Sequence, residues 1–231
     1  MLVIGAALAR VLFGVRDRMW PALVMPALVV AVPLTFSRSA EVGVCAAVAL
    51  LLLLKDRRLL ALLPVFAALF FVLAPARITD RAESIFNLKD PSNKDRLVMM
   101  REGVHMIRDH PVLGIGPNMV QPLYAQYREP DAVNAVNPHL HNVPLQIAAE
   151  RGLPALAIWL WFVVGLLVAL AKMMRVKDQQ MLAATGLAAV VSMLAAGMFE
   201  YNFGDSEFLM LFLILVTLPF AAVRNAARAG R

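Results

Sequence analysis

An all-α fold is predicted, a polytopic bundle of transmembrane helices carrying one long, partly helical loop outside the bilayer, and three observations predict it. Apolar residues make up 61% of the 231-residue chain, against about half in soluble domains, and mean hydropathy is +0.71. The apolar residues gather into runs about as long as the roughly 17 to 25 residues that a helix needs to cross a bilayer. Those runs show no strict polar/apolar alternation, so helices rather than barrel strands satisfy the backbone in lipid.

In chain order, Met1 to Phe13 is apolar but short and contains Arg10, and it reads as the remnant of a span. A signal peptide is the competing reading, but a basic n-region and a small-residue cleavage site before Gly14 to Arg18 are both missing. Six longer runs follow: Trp20 to Phe36, Ser39 to Leu54, Leu59 to Ala76, Leu153 to Ala171, Met181 to Phe199 and Glu207 to Val223. The single cysteine, Cys45, sits in the second run, which excludes an intrachain disulfide and suggests a small buried hydrophobe. Three regions result: N-terminal helices over 1–76, a loop over 77–152, and C-terminal helices with a tail over 153–231.

Charge orients the bundle. The net charge of +6 is not spread along one nucleic-acid-binding face; it sits in the short connections. With alternating spans, the connections on one side hold eleven basic residues (Arg16, Arg18, Lys55, Arg57, Arg58, Lys172, Arg175, Lys177, Arg224, Arg228 and Arg231) against three acidic ones, and that side is expected to be cytoplasmic, the C-terminus included. The opposite side receives Ser37-Arg38, the acidic stretch from Glu200 to Glu207, and the long loop, whose nine basic and nine acidic residues balance.

Long loops on a rigid scaffold are where binding and catalysis concentrate. Ser92-Asn93-Lys94-Asp95 resembles a capping box, and Arg96 to Asp109 follows helical spacing with Leu97, Met100, Val104 and Ile107 on one face, ended by Pro111. On a neighbouring face Arg101, His105 and Arg108 form a basic stripe, either anion-binding or simply facing lipid headgroups. The turn Pro111 to Asn118 leads to a short helix with Tyr124 and Tyr127; its Gly114-Ile115-Gly116 is no dinucleotide fingerprint, since no strand precedes it and no third glycine follows at the required spacing. Asn137-Pro138-His139-Leu140-His141-Asn142 then enters a helix running through Arg151 and stopping at Gly152, with Pro154 just beyond. His139 and His141 read equally as catalytic groups or as caps at the membrane surface; with Glu150 they form only an incomplete metal set.

Together, Arg96 to Asp109, the Pro111 to Pro117 turn, His139-Leu140-His141-Asn142, Leu145-Gln146, Glu150 and Gly152-Leu153 resemble the O-antigen ligase and polymerase family. The family's His-Asn, followed by a glycine and then a small or hydroxylated residue, matches His141-Asn142, Gly152 and Ala155, where alanine is a mild departure. Thr35 to Ser39 is similar to the family's Ser-Arg turn, and Asn202 to Ser206 to its last outer connection. Family members carry about twice as many spans, the additional ones N-terminal, so this chain is expected to correspond to a C-terminal half.

The resemblance implies a multi-pass protein of the bacterial inner membrane, with the long loop periplasmic, that moves a glycan from undecaprenyl diphosphate to lipid A core or another glycan. His141 is the expected base, since an imidazole titrates near pH 6.5 and general-base help is worth roughly 10²- to 10⁴-fold in rate. Arg38 and Arg96 are the expected partners of the diphosphate leaving group, because guanidinium is planar and always charged. A basic residue at the outer edge also runs against the charge bias, which singles out Arg38 from a plain snorkelling anchor. His139, Asn142, Arg101 and Arg108 are the expected substrate contacts. No paired acids suited to a nucleotide-sugar metal stand in the loop, so metal-independent transfer without a cofactor is expected. Ligase, polymerase and protein O-oligosaccharyltransferase share this chemistry, with ligation favoured. The readings from another class are a transporter, a scaffold or an inactive remnant of a split ligase; the scarcity of ionisable groups within the runs speaks against the transporter.

Overall fold

The computed structural model describes residues 1–73 and 90–229, and among them every regular element is helical. The helices are α1 (Leu2–Phe13), α2 (Met19–Leu34), α3 (Arg38–Lys55), α4 (Leu62–Leu73), α5 (Pro91–Asp109), α6 (Val120–Tyr127), α7 (Val143–Met173), α8 (Gln180–Gly197) and α9 (Ser206–Ala229), with 3-10 turns at Arg57–Ala61, Lys177–Gln179 and Asn202–Gly204. The all-α membrane fold holds. The end of the third predicted run, from Ala74 to Ala76, and the first part of the loop, from Arg77 to Lys89, lie outside the described residues, as does Arg231.

Among the described residues, three helical segments are long and apolar enough to cross a membrane: Val143–Met173, Lys177–Gly197 and Ser206–Ala229. These carry the last three predicted runs. The first predicted run lies on α2, whose 16 residues at about 1.5 Å each fall short of a hydrocarbon core about 30 Å thick, and which contains Pro26 and Pro33. The second lies on α3, 18 residues bounded by Arg38, Glu41 and Lys55. Part of the third is taken up by the 3-10 turn before α4.

The chain divides into two compact units. One contains α1 to α4, 165–196 and α9, and its centre is built mostly of small residues: Ala9, Ala47, Ala184 and Ala188 are buried around Leu51, with Leu8, Leu12, Phe13 and Met174 packed against them. Small side chains let backbones approach closely, the usual source of helix association where lipid removes the hydrophobic drive. The α1 carboxyl end is held by Lys55, whose Nζ donates to the Leu12 carbonyl at 2.8 Å and lies over the Phe13 ring.

The other unit contains, of the described residues, 90–164 and 197–205, with a core of Met99, Met106, Val120, Leu140 and Ala149. Its first helix differs from the sequence expectation in two ways. Asp90 rather than the Ser92–Asp95 stretch caps α5, its carboxylate accepting from the Ser92 and Asn93 amides at 3.0 and 3.3 Å, with Pro91 at the first helical position. The buried face carries Asp95, Val98, Met99, Glu102, Gly103 and Met106, whereas Leu97 and Met100 are about half exposed. Counting only apolar residues therefore selected the wrong face, because two acids are inside.

Those acids are held in a network that leaves one oxygen of Glu102, Oε2, buried and unpaired among the described residues. Asn134 donates to Asp95 at 2.9 Å, Asn137 donates to Tyr124 at 3.1 Å, and the Glu129 amide donates to Glu102 at 3.0 Å. Burial pushes the Tyr124 hydroxyl up to about 12, with the charge of Glu102 adding to it. Burial likewise raises the Glu102 carboxyl above its usual range, against the opposing Glu129 amide. A carboxyl whose folded pKa is raised contributes stability fully present below its unfolded value of 4.5 and lost as pH rises through the folded value. Glu102→Gln keeps an acceptor for the amide and removes the titration. Its thermal midpoint in detergent is therefore expected to gain on the parent's from pH 5 to pH 8, and a constant difference would refute the assignment.

Candidate active site

The network around Asp95 fixes Asn137, and through Pro138 it delivers His139 and His141. The backbone of His141 is left-handed, at φ +49°, a conformation uncommon for residues other than glycine that costs about 1 to 3 kcal/mol and persists where the surroundings enforce it. Here they do. Next in sequence, Asn142 caps α7 by accepting from the Leu145 amide at 2.9 Å, while its amide nitrogen donates to the Met198 carbonyl at 3.1 Å. The Leu140 amide is held by the buried Gln146 side chain at 2.7 Å. Asn142 thus ties the entrance of α7 to the 197–205 connection, and both ends of its side chain are engaged with backbone.

That connection brings in Glu200. The Oε1 atom of Glu200 lies 2.8 Å from His141 Nδ1 and also accepts from the Tyr201 amide at 3.1 Å. A carboxylate can only accept, so Nδ1 carries the hydrogen and Nε2 of a neutral His141 keeps its lone pair. Burial works to raise the Glu200 carboxyl, but the His141 hydrogen bond and charge, with the Tyr201 amide, outweigh it and hold the group below its ordinary value. Glu200 is ionised at neutral pH on this account.

His139 packs edge-on to His141, ring centres 4.3 Å apart at 76°, with its Nε2 3.7 Å from the same Glu200 oxygen. Burial lowers its pKa, and His141 lowers it further, against the pull of Glu200 and Asp205. The Tyr201 ring is tilted against His139, with ring centres 6.0 Å apart. Arg96 joins from α5: its Nε donates to the Phe199 carbonyl at 3.1 Å, one residue from Glu200, and its Nη1 to Ser92 at 3.1 Å.

The remaining expected residues lie elsewhere. Arg38 is buried at the start of α3, in the other unit. Arg101 makes a two-pronged bond to Asp131 at 2.7 and 2.8 Å, and His105 lies 3.3 Å from Glu129, so these two of the three members of the basic stripe face acids from the following segment. Arg108 lines an open cleft of about 500 Å³ together with His105, Asp109, Gln126, Tyr127, Arg128 and Glu129.

Sequence reading missed Glu200. It stands 59 residues from His141, inside a connection noted only for its acidity, and no local spacing links the two. Glu150, the acid considered with the histidines, is instead bonded to Gln146 at 2.8 Å and Arg151 at 3.1 Å. With Glu200 in its place, His139, His141 and Glu200 offer three ligand atoms within 4.8 Å of one another, enough to hold a metal ion.

The arrangement offers an oriented imidazole, which can abstract a proton, on a connection that also holds the Arg96 guanidinium through the Phe199 carbonyl. A comparison with curated proteins returns no match. The family model described as O-antigen ligase matches residues 22–160, more than half of the chain and a stretch that contains Arg38, Arg96, His139 and His141. The chain therefore belongs to the O-antigen ligase family.

Proposed function

We propose that this protein transfers a glycan from an undecaprenyl diphosphate carrier to an acceptor sugar, lipid A core foremost, at the periplasmic face of a bacterial inner membrane. Membership of the family implies glycosyl transfer of the ligase or polymerase kind at a membrane. The single observation that carries the finer reading is the His141–Glu200 pair on a left-handed backbone. His141 Nε2 takes the proton of the acceptor hydroxyl as its oxygen bonds to the anomeric carbon. The bond from that carbon to the diphosphate breaks, and the electron pair leaves on the diphosphate. Arg96 is the group of this unit assigned to that developing charge, because guanidinium meets phosphate with paired, charge-assisted bonds, and for Arg38 the same role stays an expectation from its sequence position alone. His139 and Tyr201 border the acceptor position, Arg108 and Arg101 contact more distant parts of the glycan, and Asn142 positions the histidine.

A polymerase differs only in acceptor. The test is electrophoresis of surface and carrier-linked glycans from the native host with the gene deleted and restored. Loss of long chains from lipid A core on deletion, with accumulation on the diphosphate carrier, supports ligation. Cores bearing single repeats indicate polymerisation, and an unchanged profile refutes transfer altogether.

The three clustered ligand atoms favour one further reading, a metal-assisted reaction. We hold to metal-independent transfer, since Glu200 and His141 complete each other by a direct hydrogen bond. Solubilised protein is expected to keep full turnover in a chelator; loss restored by zinc would establish the metal reading.

A further inference from the structure

The turn after α5 has a feature that glycan transfer does not use. It leaves the helix at His110, closes with the Gly114 amide on the His110 carbonyl at 3.0 Å, and is fastened to α7 at three points. Ile115 donates to the Ala149 carbonyl at 2.8 Å, Gly116 to Glu150 at 3.0 Å, and Leu153 donates back to Pro111 at 2.8 Å. Two glycines make the approach possible: a Cβ on Gly114 would stand 2.3 Å from the Glu150 carbonyl carbon, and one on Gly152 would stand 2.0 Å from the Val112 oxygen. The turn is therefore held rigidly against the helix.

Its tip is apolar and turned outward. Val112 is 62% exposed and Leu113 83% exposed. The hydrogen bonds place this tip beside Gly152, where the helix passes from Gln146, Glu150 and Arg151 to an unbroken apolar run starting at Leu153. Beyond that point Ile158, Trp161 and Val164 are all more than half exposed, as lipid-facing side chains of a membrane span are. Two large hydrophobes projecting from a rigid turn at that level continue the same apolar surface.

We infer that the Val112–Leu113 tip inserts into the headgroup and acyl-chain boundary of the bilayer on the side that bears the catalytic loop. Its partner is phospholipid. The tip acts as a depth gauge, fixing the α5–turn–α7 unit at the membrane surface through a second point besides the span itself. The inference rests on the turn geometry and the start of the apolar run, and needs no glycan substrate.

The test uses the full chain in phospholipid nanodiscs. With the single cysteine removed by Cys45→Ser, Leu113→Cys and, separately, Gln126→Cys on the exposed α6 surface are labelled with an environment-sensitive fluorophore. The Leu113 probe is expected to emit at shorter wavelength and to be quenched several-fold more strongly by lipids carrying a spin label near the headgroup. Val112→Cys provides the same readout should Leu113→Cys not fold. Emission and quenching at the tip equal to those at Gln126 would overturn the inference.

Discussion

Replacing His141 with alanine is expected to lower glycan transfer by roughly 10²- to 10⁴-fold, the range that a positioned general base contributes. The measurement is turnover of carrier-linked glycan by solubilised protein, with thermal midpoints compared so that lost folding is not read as lost chemistry. Glu200→Ala removes the partner that fixes the Nδ1 hydrogen of His141, at 2.8 Å, together with the acceptor of the Tyr201 amide, and a smaller loss of roughly 10- to 100-fold is expected, as for other residues that orient an active group. Glu200→Gln keeps an acceptor for Nδ1–H and should fall between Glu200→Ala and the parent. The order of the three matters more than any one value. If His141→Ala turned over like the parent, or Glu200→Ala fell further than His141→Ala, the imidazole would not be the base.

The order follows from what each group touches. His141 Nε2 is the atom left free to meet a hydroxyl, whereas Glu200 acts through the opposite nitrogen. The left-handed backbone at His141 contributes by aiming the ring without occupying either nitrogen. It is held by Asn142 on one side and by the Leu140 amide on Gln146 on the other, so the strain is sustained by bonds outside the ring.

What was legible in the sequence, and what was not, divides along a physical line. Local signals succeeded. The helix through Arg96 to Asp109, its end at Pro111, the short helix with Tyr124 and Tyr127, and the break at Gly152 all follow from residues within a turn or two of one another. The His-Asn pair was recognisable from its likeness to the family, and the structure adds that Asn142 caps the helix that follows it. Signals that depend on distant residues failed. Glu200 is assigned by a connection two helices further along the chain, and the buried face of α5 by Asn134, Asn137 and the Glu129 amide, which make acids at 95 and 102 acceptable inside. Hydropathy counts treat an acid as surface, so a buried acid rotates the inferred face. The spans show the same division: continuous apolar sequence marked the C-terminal spans, but continuity could not show that the α2 run forms only 16 helical residues or that the run through Leu59 opens in a 3-10 turn.

Gly152→Ala is expected to be the most disruptive single-methyl change in the loop. At φ +80° and ψ +169° the residue occupies backbone space that is essentially glycine's alone, which by itself costs an alanine about 1 to 3 kcal/mol. The added carbon would also meet the Val112 oxygen at 2.0 Å and the Leu113 nitrogen at 3.0 Å, both backbone atoms with no rotamer to give way. Relief requires the Pro111–Leu153 hydrogen bond to break and the turn to leave α7, which opens the seat of Ile115 and Gly116 as well. Gly165→Ala on the same helix is the matched control, since nothing lies within 4 Å of its added carbon and alanine is the better helix former by about 1 kcal/mol. Thermal unfolding should therefore separate the two in opposite directions, and limited proteolysis should cut the 111–118 turn only in Gly152→Ala. Transfer should fall with the turn, because the helix that begins at Asn142 and carries the His141 loop is braced by it at Ala149 and Glu150. Equal midpoints for Gly152→Ala and the parent would mean that the turn does not lie against the helix in solution, and the placement of the apolar tip at the bilayer boundary would fall with it.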